Sequence, residues 1–258
     1  MTEQKKIVCI IPARLNSSRF EKKLLKKILN KPILQWVWEA ANQTTFFKEI
    51  VFAIDSEETA NVIKSFGGKY LMTSQNCKSG TDRLIEIMHS GRVEADIWVN
   101  WQGDEPFITP QMIATLLQSC HKDKADVWTL KKIIEQKEEI TSPNFAKVVC
   151  DIEDFALYFS RSPIPYYRDK DIEEIYYKHV GIYAFSTNAL RKIAQMKHSY
   201  LEDAEKLEQL RFLHHKLDIK VHETDQEVIG IDTPQDLQRA EKYAKTTLRD
   251  ARYTRSSE

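Results

Sequence analysis

Arg14, Ser17, Ser18, Arg19, Lys22 and Lys23 share one polar stretch that follows directly on the apolar run from Ile7 to Pro12. These residue types grip a polyanion in complementary ways: Arg offers phosphate oxygens two parallel N–H bonds, Ser adds a hydroxyl, and Lys supplies a mobile point charge. A second stretch, Gln102-Gly103-Asp104-Glu105-Pro106, sets a carboxylate on a short Gly-containing turn after the apolar run from Asp96 to Trp101. There an α/β enzyme can hold Mg2+ against substrate phosphates, and since Mg2+ usually takes one or two protein carboxylates, Asp104 needs at most one distant partner. Asp232, within Gly230-Ile231-Asp232-Thr233-Pro234, is the expected partner. A further stretch runs from Ser79 to Leu84, where Gly80 lets backbone approach a ligand and Ser79 and Thr81 can cap a helix. Each has a plainer reading: a solvated basic loop for the first, a helix N-cap for Ser79 and for Asp232.

The elements that must position these groups follow from periodicity and punctuation. The run from Ile7 ends at Pro12 and reads as a central parallel strand, whose following loop lies at the carboxyl end, where open α/β sheets bind ligands. Lys31–Pro32 is expected to open a helix reaching about Asn42, with Asn30 before it tolerating a left-handed backbone. A strand over Ile50 to Ile54, a helix started by Asp55-Ser56-Glu57-Glu58 and running to Phe66, a turn at Gly67–Gly68 and a strand over Tyr70 to Met72 complete a βαβαβ opening. The segment from Lys147 to Phe185 differs in texture. Strands over Lys147 to Asp151 and Ala156 to Phe159 turn at Glu153–Asp154, and an irregular stretch with Tyr166, Tyr167, Tyr176 and Tyr177 follows. It reads as a hairpin excursion suited to a subunit interface, or as a plain surface loop. Lys178 to Phe185 returns as a strand carrying His179 near its start. One helix is expected over Tyr200 to His214, with Glu205, Glu208, Gln209 and Arg211 on neighbouring faces, and another from Pro234.

Length and composition bound the answer. The 258 residues, 42% of them hydrophobic, suffice for one main domain, expected over 1–246 with a polar, frayed tail over 247–258. Basic and acidic residues balance at 38 each, so no global field draws the chain to nucleic acid or a membrane surface, and any anion site must be local. The widely spaced Cys9, Cys77, Cys120 and Cys150 form no CxxC pair, which suits a reduced, cytoplasmic protein. Neither a signal-like leader nor an apolar run of membrane-spanning length is visible.

IPARLNSSR, SGTDRL, NWQGDEP, ALYFSRSPIP, KHVGIYAF, LEQLR and GIDTPQDL occur in this order along the chain, and in that order the sequence resembles the 3-deoxy-manno-octulosonate cytidylyltransferases, or CMP-Kdo synthetases, over nearly its whole length. The resemblance implies a Rossmann-like nucleotidyltransferase fold, with a mixed central sheet flanked by helices and a small hairpin element, about 147–186, through which a homodimer forms. It implies an enzyme that transfers CMP from CTP to Kdo, giving CMP-Kdo and pyrophosphate for lipopolysaccharide assembly. By the same resemblance Arg14, Ser17, Arg19 and Lys23 meet the CTP phosphates, with the Pro12 and Ala13 backbone near the nucleotide. Ser79, Gly80, Arg83 and Gln102 line the cytidine side. Asp104 and Asp232 hold Mg2+, and Arg161, His179, Tyr183, Glu208 and Gln209 bind the acidic sugar, Arg161 meeting its carboxylate. The family loop continues Arg-Leu-Pro-Gly-Lys-Pro-Leu, whereas here Arg19 is followed by Phe20-Glu21-Lys22-Lys23-Leu24-Leu25. Lys23 then stands in the family's lysine position and Lys22 in its glycine position. Other readings are the same chemistry on an amino-Kdo or a nonulosonic acid, or a catalytically silent homologue, against which the retained Asp104 and Asp232 argue.

Overall fold

Two carboxylates far apart in the chain can share a site only if strands and turns return to the same place. A computed structural model of the protein describes residues 5–16, 20–122, 124–169 and 171–255, of which 247–255 as backbone. In chain order the strands are β1 (Ile7–Ala13), β2 (Lys27–Ile28), β3 (Lys31–Pro32), β4 (Glu49–Ile54), β5 (Tyr70–Met72), β6 (Ile97–Asn100), β7 (Val127–Ile133), β8 (Lys147–Cys150), β9 (Ala156–Ser160), β10 (Tyr177–Ser186) and β11 (Ile219–Glu223). The helices are α1 (Ile33–Asn42), α2 (Glu57–Ser65), α3 (Gly80–His89), α4 (Pro110–Leu117), α5 (Lys137–Thr141), α6 (Thr187–Ile193), α7 (Tyr200–Glu205), α8 (Gln209–His214) and α9 (Pro234–Arg255). The fold is α/β with a mixed sheet flanked by helices, as expected from the sequence.

The chain divides into two compact units, each assembled from separated segments, where the sequence reading has a single domain over 1–246. The first comprises Met1–Val8, Glu94–Asn100 and Gln111–Gln226. Its strands run in the order β11-β7-β10-β6, with β8 pairing β10 and β9 beyond it. β10 is antiparallel to β6 and β7, and β11 is parallel to β7. The β8–β9 hairpin turns where expected, at Asp154, whose φ of 59° is left-handed. The charged residues Lys131, Lys132, Lys147 and Lys178 are all buried here. Lys131 pairs with Asp154, Lys178 with Glu139, and Lys147 donates to the carbonyls of Ser142, Phe145 and Arg161.

The second unit comprises Cys9–Val93, Trp101–Pro110 and Glu227–Glu258. Its strand order is β1-β4-β5, with β4 and β5 parallel, and β2 and β3 form a separate antiparallel pair. β1 is buried along its length, as an apolar run facing cover on both sides must be. Ser56 caps α2 by accepting from the Glu58 N–H, and Ser79 and Asp82 form a capping box on α3. Ile28, Ile33, Ile231, Ala240 and Ala244 form a closed cluster, so that α9 is held to β2 and to the segment bearing Asp232. Each fully buried Ile there contributes about 1.5–3 kcal/mol of transfer free energy.

Three expectations are corrected. The helix expected from Lys31–Pro32 begins at Ile33, because Lys31 and Pro32 pair instead with Lys27 and Ile28. The single helix expected over Tyr200 to His214 is two, since Lys206 takes a left-handed φ of 53° and breaks the ladder. The stretch expected as a frayed tail continues α9 as far as Arg255. Asn30, expected to accept a left-handed backbone, has a φ of 69°.

Candidate active site

A cavity of ≈ 240 Å³ in the second unit gathers most of the residues expected at the nucleotide: Pro12, Arg14, Lys23, Ser79, Gly80, Arg83, Gln102, Asp104 and Asp232 line it. Ala13 lies fully buried at the end of β1. Ser17 and Arg19 lie outside the described residues.

Lys23 is the centre of this cavity's charge. Its Nζ donates to Asp104 Oδ2 at 2.6 Å and to Asp232 Oδ1 at 2.9 Å, with only 7% of the residue exposed. Burial alone would lower the Lys23 pKa, but Asp104 and then Asp232 outweigh it and leave it raised, so the ammonium stays charged. The backbone reinforces the arrangement, because the Ile231 N–H donates to the Asp104 carbonyl at 3.0 Å and ties the two carboxylate-bearing turns together. Gly103 makes the close approach possible: a Cβ there would lie 2.9 Å from the Pro12 carbonyl oxygen. Burial, then Asp104 and Asp232, push Glu105 up to about 8.

Lys22 points elsewhere. Its φ is 49°, and its ammonium pairs with Glu58 at 2.8 Å on the surface. Arg83 is almost fully buried and serves as a strut, donating to Asp55 Oδ2 at 2.7 Å, to Thr73 Oγ1 at 2.5 Å and to the Ser74 carbonyl at 3.3 Å. Asp55 also accepts from the Leu15 N–H at 2.9 Å. Sequence reasoning assigned Asp55 to the start of α2; it directly follows β4, and nothing local to it points to Leu15 or Arg83. Lys78 also lines the cavity and was not anticipated.

The residues expected to bind the acidic sugar lie in the first unit. Arg161 donates through Nε to the Glu205 carbonyl at 2.6 Å, through Nη1 to the Pro143 carbonyl at 2.7 Å and through Nη2 to the Lys206 carbonyl at 3.2 Å. Of the five guanidinium N–H donors these contacts leave two. A shift in the pairing of β10 with β7 between Val180 and Tyr183 brings His179 and Tyr183 side by side, with ring centroids 5.2 Å apart. Glu208 accepts from Arg211 Nη2 at 2.8 Å, and Gln209 is buried at the start of α8. Burial, and after it Glu208, hold the Tyr183 phenol well above its ordinary range, so it remains a donor.

Burial pushes His179 down to about 3, so the ring is neutral at physiological pH, with Nε2 3.0 Å from Thr129 Oγ1. Because the folded-state value lies below the ordinary 6.5, this residue's contribution to stability is complete above about pH 6.5 and is lost as pH falls towards 3. Chemical denaturation of His179→Gln at a series of pH values is expected to show a shallower loss of stability across that window than the wild type. An identical slope would contradict the burial of the ring.

An α/β fold with a mixed sheet, a cavity lined by Arg, Lys and Ser donors, and a carboxylate pair held in that cavity are the marks of a nucleotidyltransferase. Residues 8–219 match the cytidylyltransferase family. The 3-deoxy-manno-octulosonate cytidylyltransferase of Geotalea uraniireducens is 46% identical over 245 residues, covering 91% of this chain and 97% of that protein. Its counterpart from Geotalea daltonii is 45% identical over 243 residues, covering 90% and 95%. The solved structure of a CMP:2-keto-3-deoxy-manno-octonic acid synthetase complexed with CTP superposes with a TM-score of 0.89 at 42% identity, covering 94% of this chain and 99% of that one. The chain belongs to the 3-deoxy-manno-octulosonate cytidylyltransferase family. Among the described residues no helix is long and apolar enough to cross a membrane.

Proposed function

We propose that this protein transfers CMP from CTP to the anomeric hydroxyl of Kdo, with release of pyrophosphate, for lipopolysaccharide assembly. The observation that carries this reading is the Lys23–Asp104–Asp232 constellation in a cavity lined by Arg14, Ser79 and Gln102. The anomeric hydroxyl oxygen forms a bond to the α-phosphorus, its proton passing to water, as the bond from that phosphorus to the pyrophosphate oxygen breaks. Such a displacement needs positioning and charge neutralisation more than acid–base machinery. Arg14 and Lys23 supply positive charge to the phosphates, and Ser79 and Gln102 face the cytidine.

Asp104 and Asp232 suit Mg2+. One cation, the Lys23 ammonium, already lies within 2.9 Å of an oxygen from each, and among the described residues there is no larger cluster of His, Cys, Asp and Glu that would demand another metal. A pair of carboxylates completed by phosphate oxygens and water is the usual Mg2+ environment, in which the ion would neutralise the triphosphate and assist departure of pyrophosphate. Lys23 must give up these carboxylates to reach the phosphates.

Arg161, His179, Tyr183, Glu208 and Gln209 form the sugar set, with Arg161 opposite the carboxylate of Kdo. Arg161→Lys replaces a planar fork by a point charge, so the Kdo concentration for half-saturation is expected to rise about tenfold while that for CTP moves less than about twofold. Steady-state kinetics with each substrate varied decides this; equal weakening of both substrates points instead to a displaced Arg161 loop. We also infer a cytoplasmic homodimer, supported by four cysteines none of which is in a disulfide and by the exposed Leu157, Tyr166, Ile172 and Ile175 on and beside the hairpin, and open to test by sedimentation. The reaction itself is tested by pyrophosphate release with CTP, Mg2+ and Kdo, each omitted in turn. Release that persists without Kdo, or none with all three present, overturns the reading.

A further inference from the structure

We infer that Asp55 is a positioning residue for the nucleotide, acting through the two walls of the CTP cavity that it ties together. The inference rests on the reading of that cavity as the CTP site. Asp55 directly follows β4, and its two oxygens face different partners: Oδ1 accepts from the Leu15 N–H at 2.9 Å, and Oδ2 accepts from Arg83 Nη2 at 2.7 Å. Leu15 follows Arg14 in the loop after β1, and Arg83 projects from the first turns of α3; Arg14 and Arg83 both line the cavity. Asp55 itself does not line it.

The rest of the network fixes Arg83 from the other side. Its Nη1 donates to Thr73 Oγ1 at 2.5 Å and to the Ser74 carbonyl at 3.3 Å, beyond the end of β5. The Arg83 and Asp55 side chains are 3% and 13% exposed, so this is a largely desolvated ion pair rather than a surface one. Removing one member of such a pair leaves the other without its counter-charge, and the geometry it held relaxes. The part of Asp55 that matters to CTP is therefore its double contact. One carboxylate sets where the backbone of the loop after β1 lies and how the guanidinium on α3 is aimed.

Asp55→Asn separates the two contacts. Asn keeps the shape, and its amide oxygen still accepts from the Leu15 N–H, but the charge opposite Arg83 is lost. Asp55→Ala loses both. In the full-length protein with Mg2+, calorimetric titration of CTP is expected to show about tenfold weaker binding for Asp55→Asn and about a hundredfold weaker binding for Asp55→Ala, the range for losing hydrogen bonds to a charged group. Turnover at saturating CTP is expected to stay within about threefold of wild type, and Kdo half-saturation within about twofold, a separation that general loss of structure would not produce.

If Asp55→Ala fails to fold, Asp55→Asn carries the test alone. Arg14→Ala, which removes a cavity-lining group outside the Asp55 hydrogen bonds to Leu15 and Arg83, is measured beside them. Weaker CTP binding in Arg14→Ala with unchanged binding in Asp55→Asn overturns the role of Asp55 and leaves the cavity as the CTP site. Unchanged binding in both overturns the cavity assignment itself. A lowered melting temperature for Asp55→Asn with CTP and Kdo affected equally also overturns the inference, since Asp55 would then be purely structural.

Discussion

Asp104→Asn is expected to lower turnover by about two to three orders of magnitude, and Asp232→Asn by somewhat less, with the fold of both variants intact. Asn preserves shape and one oxygen ligand but removes the charge that makes the pair attractive to Mg2+. The order follows from the site: the Asp104 side chain is 30% exposed and lies 2.6 Å from Lys23, while that of Asp232 is 47% exposed at 2.9 Å, so the Asp104 charge is the less screened by water. The fold survives because Lys23 keeps the other carboxylate as its partner, so neither substitution leaves a buried cation alone. The measurement is kcat as a function of Mg2+, with circular dichroism as a control on folding. Near-normal rates for both variants at limiting Mg2+ would remove the pair from the metal site.

Lys23→Ala is expected to raise the CTP concentration for half-saturation by about ten- to a hundredfold, the range for loss of a charged hydrogen-bonding group in a shielded site. Lys22→Ala is expected to change it less than about threefold, because Lys22 is 43% exposed and engaged with Glu58 in a surface pair that water and salt screen. The left-handed φ of 49° at Lys22 explains why a glycine suits this place, since an L side chain there costs about 1–2 kcal/mol that glycine avoids. Combining Glu21→Pro with Lys22→Gly should therefore favour the native turn, reduce the entropy lost on ordering the loop, and tighten CTP. Steady-state kinetics on the three variants beside wild type provides the check. Greater damage from Lys22→Ala would mean that the register assigned to this loop is wrong.

The cavity was legible in the sequence where chemistry coincided with punctuation. Asp104 sits between Gly103 and Pro106 just beyond β6, so a strand end and a carboxylate were announced together, whereas the strand-like run before Gly230 forms no strand and Asp232 was marked only by the flanking Gly230 and Pro234. Ser79 was legible as a cap and is one. Asp55 was not legible as part of the site, because Asp-Ser-Glu-Glu is a sufficient helix start and nothing local points to Arg83 or Leu15. The break at Lys206 was hidden for a related reason: lysine carries no signal for a left-handed backbone, and the i, i+3 and i, i+4 spacing runs through it without interruption. Nor could periodicity reveal that Arg161 would spend three donors on the carbonyls of Pro143, Glu205 and Lys206. Those partners come from separate stretches of chain, and only tertiary packing brings them to one guanidinium.

The backbone bond from Ile231 to the Asp104 carbonyl has a consequence for synthesis on the ribosome. Lys23, Arg83 and Asp104 emerge early, whereas Asp232 and the Ile231 that locks into the cluster with Ile28 and Ile33 emerge only near the end. Until then Lys23 has Asp104 but not Asp232 as a partner, and the carboxylate pair proposed to hold Mg2+ cannot assemble. On the proposed reading, a chain grown only as far as Gln226 is therefore expected to bind Mg2+ and CTP more weakly than one that includes Asp232.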